Sequence, residues 1–230
     1  MKLVLFDVDG TLLLTGGAGM RAFSTALKQV FGLSVDLKAI RPDGKTDPLI
    51  ARELLAHFGQ EKRWTVKSQE ELFAAYIRNL KGEMDMARKN SLINVLPGVR
   101  ELLEALETQS DFAVGLVTGN LEEGARIKID MAELERFFHF GGYGSDSEDR
   151  TTLIKESMRR GAQFVHPAPV ESVYVVGDTP LDIIHGHRAG ARAIAVASAG
   201  FSLGELEPYE PDLLVPSLTP PDPIISFMRS

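Results

Sequence analysis

The chain has 230 residues, of which 44% are hydrophobic, and it carries a formal net charge of −7 and no cysteine. This length suits one domain with an insertion or two small domains, and the apolar share argues against disorder. The acidic balance argues against nucleic-acid and anionic-membrane partners, and the lack of cysteine excludes disulfides, thiolate metal sites and cysteine nucleophiles.

The N-terminal segment MKLVLF is apolar over only a few residues. That run is too short for the core of a signal peptide, and no stretch approaches the roughly 18 apolar residues that span a bilayer. We therefore expect a cytoplasmic protein with no membrane partner. Nothing in the sequence separates a monomer from a dimer.

Residues 2–8, KLVLFDV, predict a strand buried on both faces of a parallel sheet. A glycine-rich exit follows, and then helical periodicity appears over 20–31, 47–58 and 66–89. We therefore predict an all-helical cap domain over residues 16–90. The cap is inserted into an α/β core domain formed by residues 1–15 and 91–230.

From residue 96 onward, helical and strand patterns alternate. Helices are predicted over 96–107, 121–134, 149–162 and 180–191, and strands within 112–120, 137–145, 172–178, 192–197 and 212–215. This alternation predicts an α/β fold with a Rossmann-like parallel sheet flanked by helices.

Polar residues follow three of the predicted strands, at the ends where open parallel sheets bind ligands. They are Asp7 and Asp9, then Thr118, Gly119 and Asn120, and finally Asp178 with Asp182 one helical turn later. Carboxylates gathered at one edge repel each other unless a cation neutralises them, and hard oxygen ligands suit Mg²⁺. The pattern therefore predicts a magnesium site, and such sites commonly handle phosphate.

A phosphate site also needs hydrogen-bond donors and a basic side chain. The Thr118 hydroxyl is one donor, and the amides of Gly119 and Asn120 are expected to start a helix and so form an anion seat. The basic candidates are Arg150, near the start of the predicted helix over 149–162, and Lys128, in the helix that follows Thr118.

Three motifs, DVDGT at 7–11, VTGN at 117–120 and VVGDTPLD at 175–182, resemble in order and spacing those of the haloacid dehalogenase superfamily. The resemblance covers nearly the whole chain. A helical cap placed directly after the first motif is similar to the phosphoglycolate-phosphatase-like and β-phosphoglucomutase-like branch. The resemblance implies a Mg²⁺-dependent phosphoric monoester hydrolase that acts on a small phosphorylated metabolite through an aspartyl-phosphate.

The resemblance also implies catalytic and metal-binding roles. Asp7 would be the nucleophile, and Asp9 would protonate the leaving alcohol and then activate water. The ligands of Mg²⁺ would be the Asp7 carboxylate, the Asp9 backbone carbonyl and Asp178. Asp182 would support the site without binding the metal.

One position departs from the family pattern. Relatives usually carry a lysine before a proline at the start of the helix that precedes the glycine–aspartate motif, but this region is SDSEDRTTLIKES. Arg150 matches the position best, and a guanidinium can bind phosphate through two hydrogen bonds. We favour Arg150 for this role, with Lys128 as the alternative.

The loop RPDGKTDP at 41–48 has two interpretations. Its residues Arg41, Lys45, Thr46 and Asp47 could contact the leaving group of a substrate. Alternatively, it is an ordinary turn before a helix that Asp47 caps, with the following proline at the first helical position. The sequence leaves both interpretations open.

The motifs also leave an alternative reaction open. A sugar-phosphate mutase keeps both aspartates and differs in protecting the aspartyl-phosphate from water, which no short motif decides. A non-catalytic phospho-binding module is less favoured, because such a protein would be expected to lose Asp7 or Asp178. A dehalogenase normally lacks the second aspartate, so Asp9 argues against that activity.

Overall fold

The computed structural model describes residues 1–35 and 42–230. The strands are β1 (Lys2–Phe6), β2 (Leu13–Leu14), β3 (Asn94–Val95), β4 (Phe112–Thr118), β5 (Gly141–Tyr143), β6 (Ser172–Gly177), β7 (Arg192–Val196) and β8 (Leu213–Val215). The helices are α1 (Ala18–Phe31), α2 (Asp47–His57), α3 (Val66–Lys89), α4 (Val99–Glu107), α5 (Glu122–Met131), α6 (Arg150–Val165), α7 (Pro180–Ala189), α8 (Leu203–Leu206) and α9 (Asp222–Arg229). Over these two ranges, no helix combines the length and the apolar character that crossing a membrane requires.

Six strands form one parallel sheet in the order β5-β4-β1-β6-β7-β8. β1 lies near its centre, with Lys2 paired to Phe112 of β4 and to Ser172 of β6. Because every strand runs the same way, all six carboxyl ends lie at one edge of the sheet. This arrangement confirms the predicted α/β fold class.

Helices cover both faces of the sheet, and β1 shows how the sequence achieves this. Val4 and Phe6 point to one face and join a cluster with residues of α4, α5 and α9. Leu3 and Leu5 point to the other face and pack with residues of α6. Side chains of a strand alternate between faces, so an unbroken apolar run is required where both faces are covered.

The segment between β2 and β3 is helical in its described part and has its own apolar cluster. Residues of α1, α2 and α3 form this cluster, and Leu121, just before α5, packs into it from the sheet side. β2 and β3 pair antiparallel where the chain enters and leaves this segment, with Leu13 opposite Val95. The sequence did not reveal this pair, because two residues carry no periodicity. The exact domain boundaries stay a prediction.

The start of α2 corrects the predicted cap. Thr46 is the N-cap residue, and its hydroxyl accepts a hydrogen bond from the Leu49 amide at 3.3 Å. Asp47 is therefore the first helical residue and Pro48 the second. The Asp47 cap of the second interpretation was therefore wrong by one residue, because the Asp47 carboxylate binds the Leu121 amide instead.

Candidate active site

Asp7 follows the last residue of β1 and is buried at the carboxyl edge of the sheet. Its amide donates to the carbonyl of Val176 at 2.9 Å, and its side chain is only 8% exposed. Asp7 Oδ2 lies 3.3 Å from Arg150 Nη2. Burial raises the pKa of Asp7 to about 7, and the nearby Arg150 charge only partly offsets this effect.

Asp178 follows β6 and lies close to the turn that leaves β1. Burial, with the negative charges of Asp182 and Asp7, raises the pKa of Asp178 to about 8. The Thr11 hydroxyl donates to Asp178 Oδ1 at 2.9 Å and favours the charged form. Gly10 has a φ of 85°, and a β-carbon there would lie 2.3 Å from Asp178 Oδ2. Any side chain at position 10 would clash with Asp178, so the close approach of the two residues requires glycine.

Asp182 lies in the first turn of α7 and pairs with Arg150. Its Oδ2 accepts from the Thr179 amide at 3.0 Å and from the Thr179 hydroxyl at 2.7 Å, while Oδ1 accepts from Arg150 Nη2. Arg150 Nη1 donates to the carbonyl of Gly44 at 3.1 Å. Although burial opposes the charge, the carboxylates of Asp182 and Asp7 raise the pKa of Arg150 above its ordinary value.

The carboxylates of Asp7, Asp178 and Asp182 each place an oxygen within 4.8 Å of the others, and all three residues are buried. Burial, together with the negative charges of the neighbouring aspartates, raises the pKa values of Asp7 and Asp178, so a cation among them would favour their charged forms. An all-oxygen donor set of this kind fits Mg²⁺, which takes one or two carboxylates and keeps several waters. Since Asp182 is already hydrogen-bonded through both oxygens, Asp7 and Asp178 are the residues that could hold the ion.

Asp9 lies two residues after Asp7 but in different surroundings. Its side chain is 45% exposed, and Oδ2 accepts from Lys128 Nζ at 2.5 Å and from Asn120 Nδ2 at 2.7 Å. Lys128 is buried, and its ammonium also donates to Asn120 Oδ1 at 2.6 Å. The two basic candidates thus have separate partners, because Lys128 contacts Asp9 and Arg150 contacts Asp7.

Thr118, Gly119 and Asn120 form the loop at the end of β4. The Thr118 hydroxyl accepts from Asn120 Nδ2 at 2.8 Å and from the Asn120 amide at 3.3 Å. α5 begins only at Glu122, with Leu121 as the N-cap residue. The expectation that the Gly119 and Asn120 amides start this helix was therefore wrong, since both residues lie in the loop before it.

Thr46 and Asp47 join the helical segment to the edge of the sheet. The Thr46 hydroxyl donates to the carbonyl of Glu148 at 3.2 Å. The Asp47 amide donates to the carbonyl of Gly119 at 2.8 Å, and Asp47 Oδ2 accepts from the Leu121 amide at 2.9 Å. Burial raises the pKa of Asp47 to about 6, against the effects of nearby positive charge and this hydrogen bond.

Lys45 forms an ion pair within the helical segment, where its ammonium lies 2.6 Å from Glu53 Oε2. Arg41, the other basic residue predicted in this loop, lies outside the described residues. The loop residues therefore have different contacts. Thr46 and Asp47 bind residues on the sheet side, and Lys45 pairs with α2.

A cavity of about 520 Å³ lies between the carboxyl edge of the sheet and the helical segment. The sheet side of its lining carries the acidic and basic residues described above. The helical segment contributes mainly apolar side chains. These are Met20, Phe23 and Ile50, and the phenol of Tyr76 also lines this side.

The family profile of haloacid dehalogenase-like hydrolases matches residues 4–196. The chain belongs to this family. Its DVDGT, VTGN and VVGDTPLD motifs lie at the edge of the sheet where the cavity opens, within the matched range.

Three proteins illustrate what this haloacid dehalogenase-like hydrolase is similar to. Pyrophosphatase PpaX of Bacillus thuringiensis (strain Al Hakam) is 25% identical over 226 residues, which cover 98% of this chain and 97% of the relative. A hydrolase from Pseudomonas syringae has a TM-score of 0.67 at 22% identity, over 94% of this chain and 93% of that one. β-Phosphoglucomutase from Clostridium difficile has a TM-score of 0.76 at 15% identity, over 99% and 96%. The two structures share the fold.

The structure brings most of the predicted site residues of this haloacid dehalogenase-like hydrolase to one cavity. Those that line it are Asp7, Asp9, Lys45, Asp47, Thr118, Gly119, Asn120, Lys128, Arg150 and Asp178. Asp182 lies behind them against Arg150. Sequence reasoning gave no role in the site to the hydroxyls of Thr11 and Tyr76. Tyr76 lies in a long helical pattern and carries no motif that could have marked it.

Proposed function

We propose that this haloacid dehalogenase-like hydrolase is a Mg²⁺-dependent cytoplasmic phosphatase that hydrolyses a small phosphomonoester through an aspartyl-phosphate on Asp7. The supporting observation is the different setting of two neighbouring aspartates. Asp7 is buried beside Arg150, and Asp9 faces the cavity beside Lys128. A nucleophile and an acid–base group need such distinct surroundings.

In the first step, a carboxylate oxygen of Asp7 attacks phosphorus while the bond from phosphorus to the leaving alcohol breaks. Asp9 gives its proton to the departing oxygen, so that an alcohol leaves and not an alkoxide. Arg150, next to Asp7, balances the negative charge of the phosphoryl group. We favour Arg150 for this role because its guanidinium lies 3.3 Å from Asp7 Oδ2, whereas the Lys128 ammonium is bound to Asp9 and Asn120.

In the second step, Asp9 takes a proton from water, whose oxygen then attacks phosphorus and releases phosphate from Asp7. Lys128 and Asn120 hold Asp9 in place through their bonds to its Oδ2.

Bound Mg²⁺ would supply positive charge to the phosphoryl oxygens and to the buried carboxylates. Asp7, Asp178 and the backbone carbonyl of Asp9 would hold the ion. Asp182 would act indirectly, because its bonds to Thr179 and Arg150 fix the guanidinium beside Asp7.

The phosphoryl oxygens would be bound by the loop after β4. The Thr118 hydroxyl and the amides of Gly119 and Asn120 are the proposed donors. All three residues line the cavity close to Asp9, to which the Asn120 side chain is hydrogen-bonded.

The proposal is tested with para-nitrophenyl phosphate and a panel of phosphorylated metabolites that includes pyrophosphate and a hexose phosphate, with Mg²⁺ or with chelator. We expect Mg²⁺-dependent phosphate release and its loss in Asp7→Asn by at least about a thousandfold. Asp85→Asn, an exposed change on α3, is the matched control and should keep full activity.

Substantial turnover by Asp7→Asn with an intact circular dichroism spectrum would contradict the nucleophile assignment. A hexose phosphate that is isomerised without phosphate release would identify a mutase instead of a phosphatase. An inactive wild-type protein that nevertheless binds phosphate would favour a phospho-binding module.

A further inference from the structure

Tyr76 on α3 is a buried tyrosine whose hydroxyl has no hydrogen-bond partner among the described residues. The residue is 2% exposed, and its ring packs edge-on against Phe23, with 5.1 Å between the ring centroids. The residue lines the cavity of the site. The hydroxyl oxygen is not among the enclosed unpaired atoms, so it is open to the cavity, and this donor is available for a group that enters.

Gly19 on α1 shows where the Tyr76 hydroxyl lies. A β-carbon at this glycine would be 3.3 Å from Lys128 Nζ and 3.8 Å from the Tyr76 hydroxyl oxygen. The missing side chain leaves space between these two groups. Since Lys128 binds Asp9, the hydroxyl lies close to the group that we propose protonates the leaving alcohol.

Burial, together with the nearby carboxylates of Asp47 and Asp9, raises the pKa of Tyr76 well above its ordinary value. The phenol therefore keeps its proton at neutral pH. It can donate a hydrogen bond to a substrate oxygen.

Among the described residues, the charged side chains on the helical side of the cavity are engaged or exposed. Lys45 pairs with Glu53, and the Asp47 carboxylate binds the Leu121 amide. The remaining large side chains on this side, those of Met20, Phe23 and Ile50, are apolar. A sugar with several hydroxyls would lose its water there without matching partners, which is costly.

We propose that the substrate is a phosphomonoester whose leaving alcohol has a mainly apolar body and one hydrogen-bond acceptor, which the Tyr76 hydroxyl binds. This inference rests on the proposed phosphatase function. It excludes polyhydroxylated sugar phosphates and inorganic pyrophosphate as the best substrates. Tyr76 binds and selects the leaving group but takes no part in the chemical steps.

The test compares wild type with Tyr76→Phe on phenyl phosphate and on the ortho-, meta- and para-acetylphenyl phosphates. The wild-type to variant ratio of kcat/KM removes differences in leaving-group reactivity. We expect a ratio within about twofold of unity for phenyl phosphate and a loss of about 3- to 10-fold for at least one acetyl isomer. The loss should appear mainly as a higher KM, because a binding contact is removed.

Tyr174→Phe is the matched control. Tyr174 is also buried, but its hydroxyl donates to the carbonyl of Met228 at 2.8 Å, under α9 and away from the cavity. This variant should give the same wild-type to variant ratio for all four aryl phosphates.

Equal ratios for the four substrates in Tyr76→Phe would overturn the assignment of the hydroxyl. A higher wild-type kcat/KM for a hexose phosphate or pyrophosphate than for every aryl phosphate would overturn the substrate class. Neither result would contradict the proposed phosphatase function. That function would fail, and this inference with it, if wild type released phosphate from none of these compounds.

Discussion

Asp7 and Asp9 are two residues apart, yet their surroundings differ. Both line the cavity, but Asp7 is 8% exposed and lies beside Arg150, while Asp9 is 45% exposed and is held by Lys128 and Asn120. The spacing D-x-D predicted that both would lie at the sheet edge. The sequence could not show which cation each one meets, because both cations come from helices far along the chain.

The first prediction separates the two basic residues. Arg150→Ala leaves Asp7 and Asp182 without their cation, so kcat/KM for para-nitrophenyl phosphate should fall about 100-fold. Lys128→Ala should cost less with this substrate, because its leaving group needs little protonation. Steady-state kinetics measures both, with Arg160→Ala on the same helix as the control. A larger loss for Lys128→Ala would transfer the phosphate role to that residue.

The second prediction concerns pH and metal. In the folded protein, the pKa values of Asp7 and Asp178 are raised from the ordinary 3.8 to about 7 and about 8. At any pH between the ordinary and the raised values, the folded protein therefore binds more protons than the unfolded chain. Stability in chelator should therefore fall as pH rises from about 4 to 8. Bound Mg²⁺ favours the charged carboxylates, so it should raise Tm by more at pH 8 than at pH 5.

Differential scanning fluorimetry with chelator and with Mg²⁺ across this pH range tests the second prediction. Asp178→Asn is the informative variant, because it removes one of the two carboxyl groups with a raised pKa and keeps an oxygen that can accept from the Thr11 hydroxyl. It should flatten the pH dependence and shrink the Mg²⁺ effect. An Mg²⁺ effect that is equal at all pH values would contradict the assignment of these carboxylates as ligands.

At the level of elements, the sheet could be predicted well and the contacts of the helical segment could not. β1, β4 and β6 are unbroken apolar runs, which few structures other than a buried strand explain. The bond between Asp47 and the Leu121 amide depends on how α2 meets the loop after β4. No local pattern encodes such a meeting, so the N-cap of α2 was placed one residue late.

The third prediction concerns Gly119. A β-carbon there would lie 2.1 Å from the carbonyl oxygen of Lys45, so alanine must push the loop before α2 away from the loop after β4. Gly119→Ala should lower kcat/KM at least tenfold, since it displaces the proposed phosphate donors. The measurement is the kinetics of para-nitrophenyl phosphate hydrolysis.

Gly124→Ala on α5 is the matched control for that change. A β-carbon at Gly124 would meet Leu80, Ile77 and Tyr76 at ordinary distances of 3.5 to 3.7 Å, and alanine favours a helix. This variant should keep its activity and its Tm. If Gly119→Ala were as active as Gly124→Ala, close contact between the two loops would not matter for turnover.

At the scale of the whole molecule, the apolar interior is divided. Among the described residues, one cluster lies on one face of the sheet and two lie on the other. A fourth lies among α1, α2 and α3 and reaches the sheet side through Leu121. The sequence predicted this division from the helical block that interrupts an alternating pattern. It could not predict the cavity between the two parts, whose wall combines residues from positions 7 to 200.

The fourth prediction tests the division into cap and core. Leu80 of α3 and Leu103 of α4 are both fully buried, in the helical-segment cluster and in a sheet cluster respectively. Each change to alanine should cost about 2–5 kcal/mol. In Leu80→Ala, hydrogen exchange should rise in α1 and α3 while β1, β4 and β6 stay protected. Equal increases throughout would show one cooperative unit instead of two domains.

The most direct measurement of the central claim is to trap the phosphoryl group on Asp7. Asp9→Asn removes the base of the second step, while para-nitrophenyl phosphate needs no acid in the first, so the intermediate should accumulate. After acid quench, peptide mass spectrometry should find one phosphoryl group on Asp7 in Asp9→Asn and none in the double variant with Asp7→Asn. A quenched Asp9→Asn protein that releases para-nitrophenol but carries no phosphoryl group on Asp7 would contradict the account.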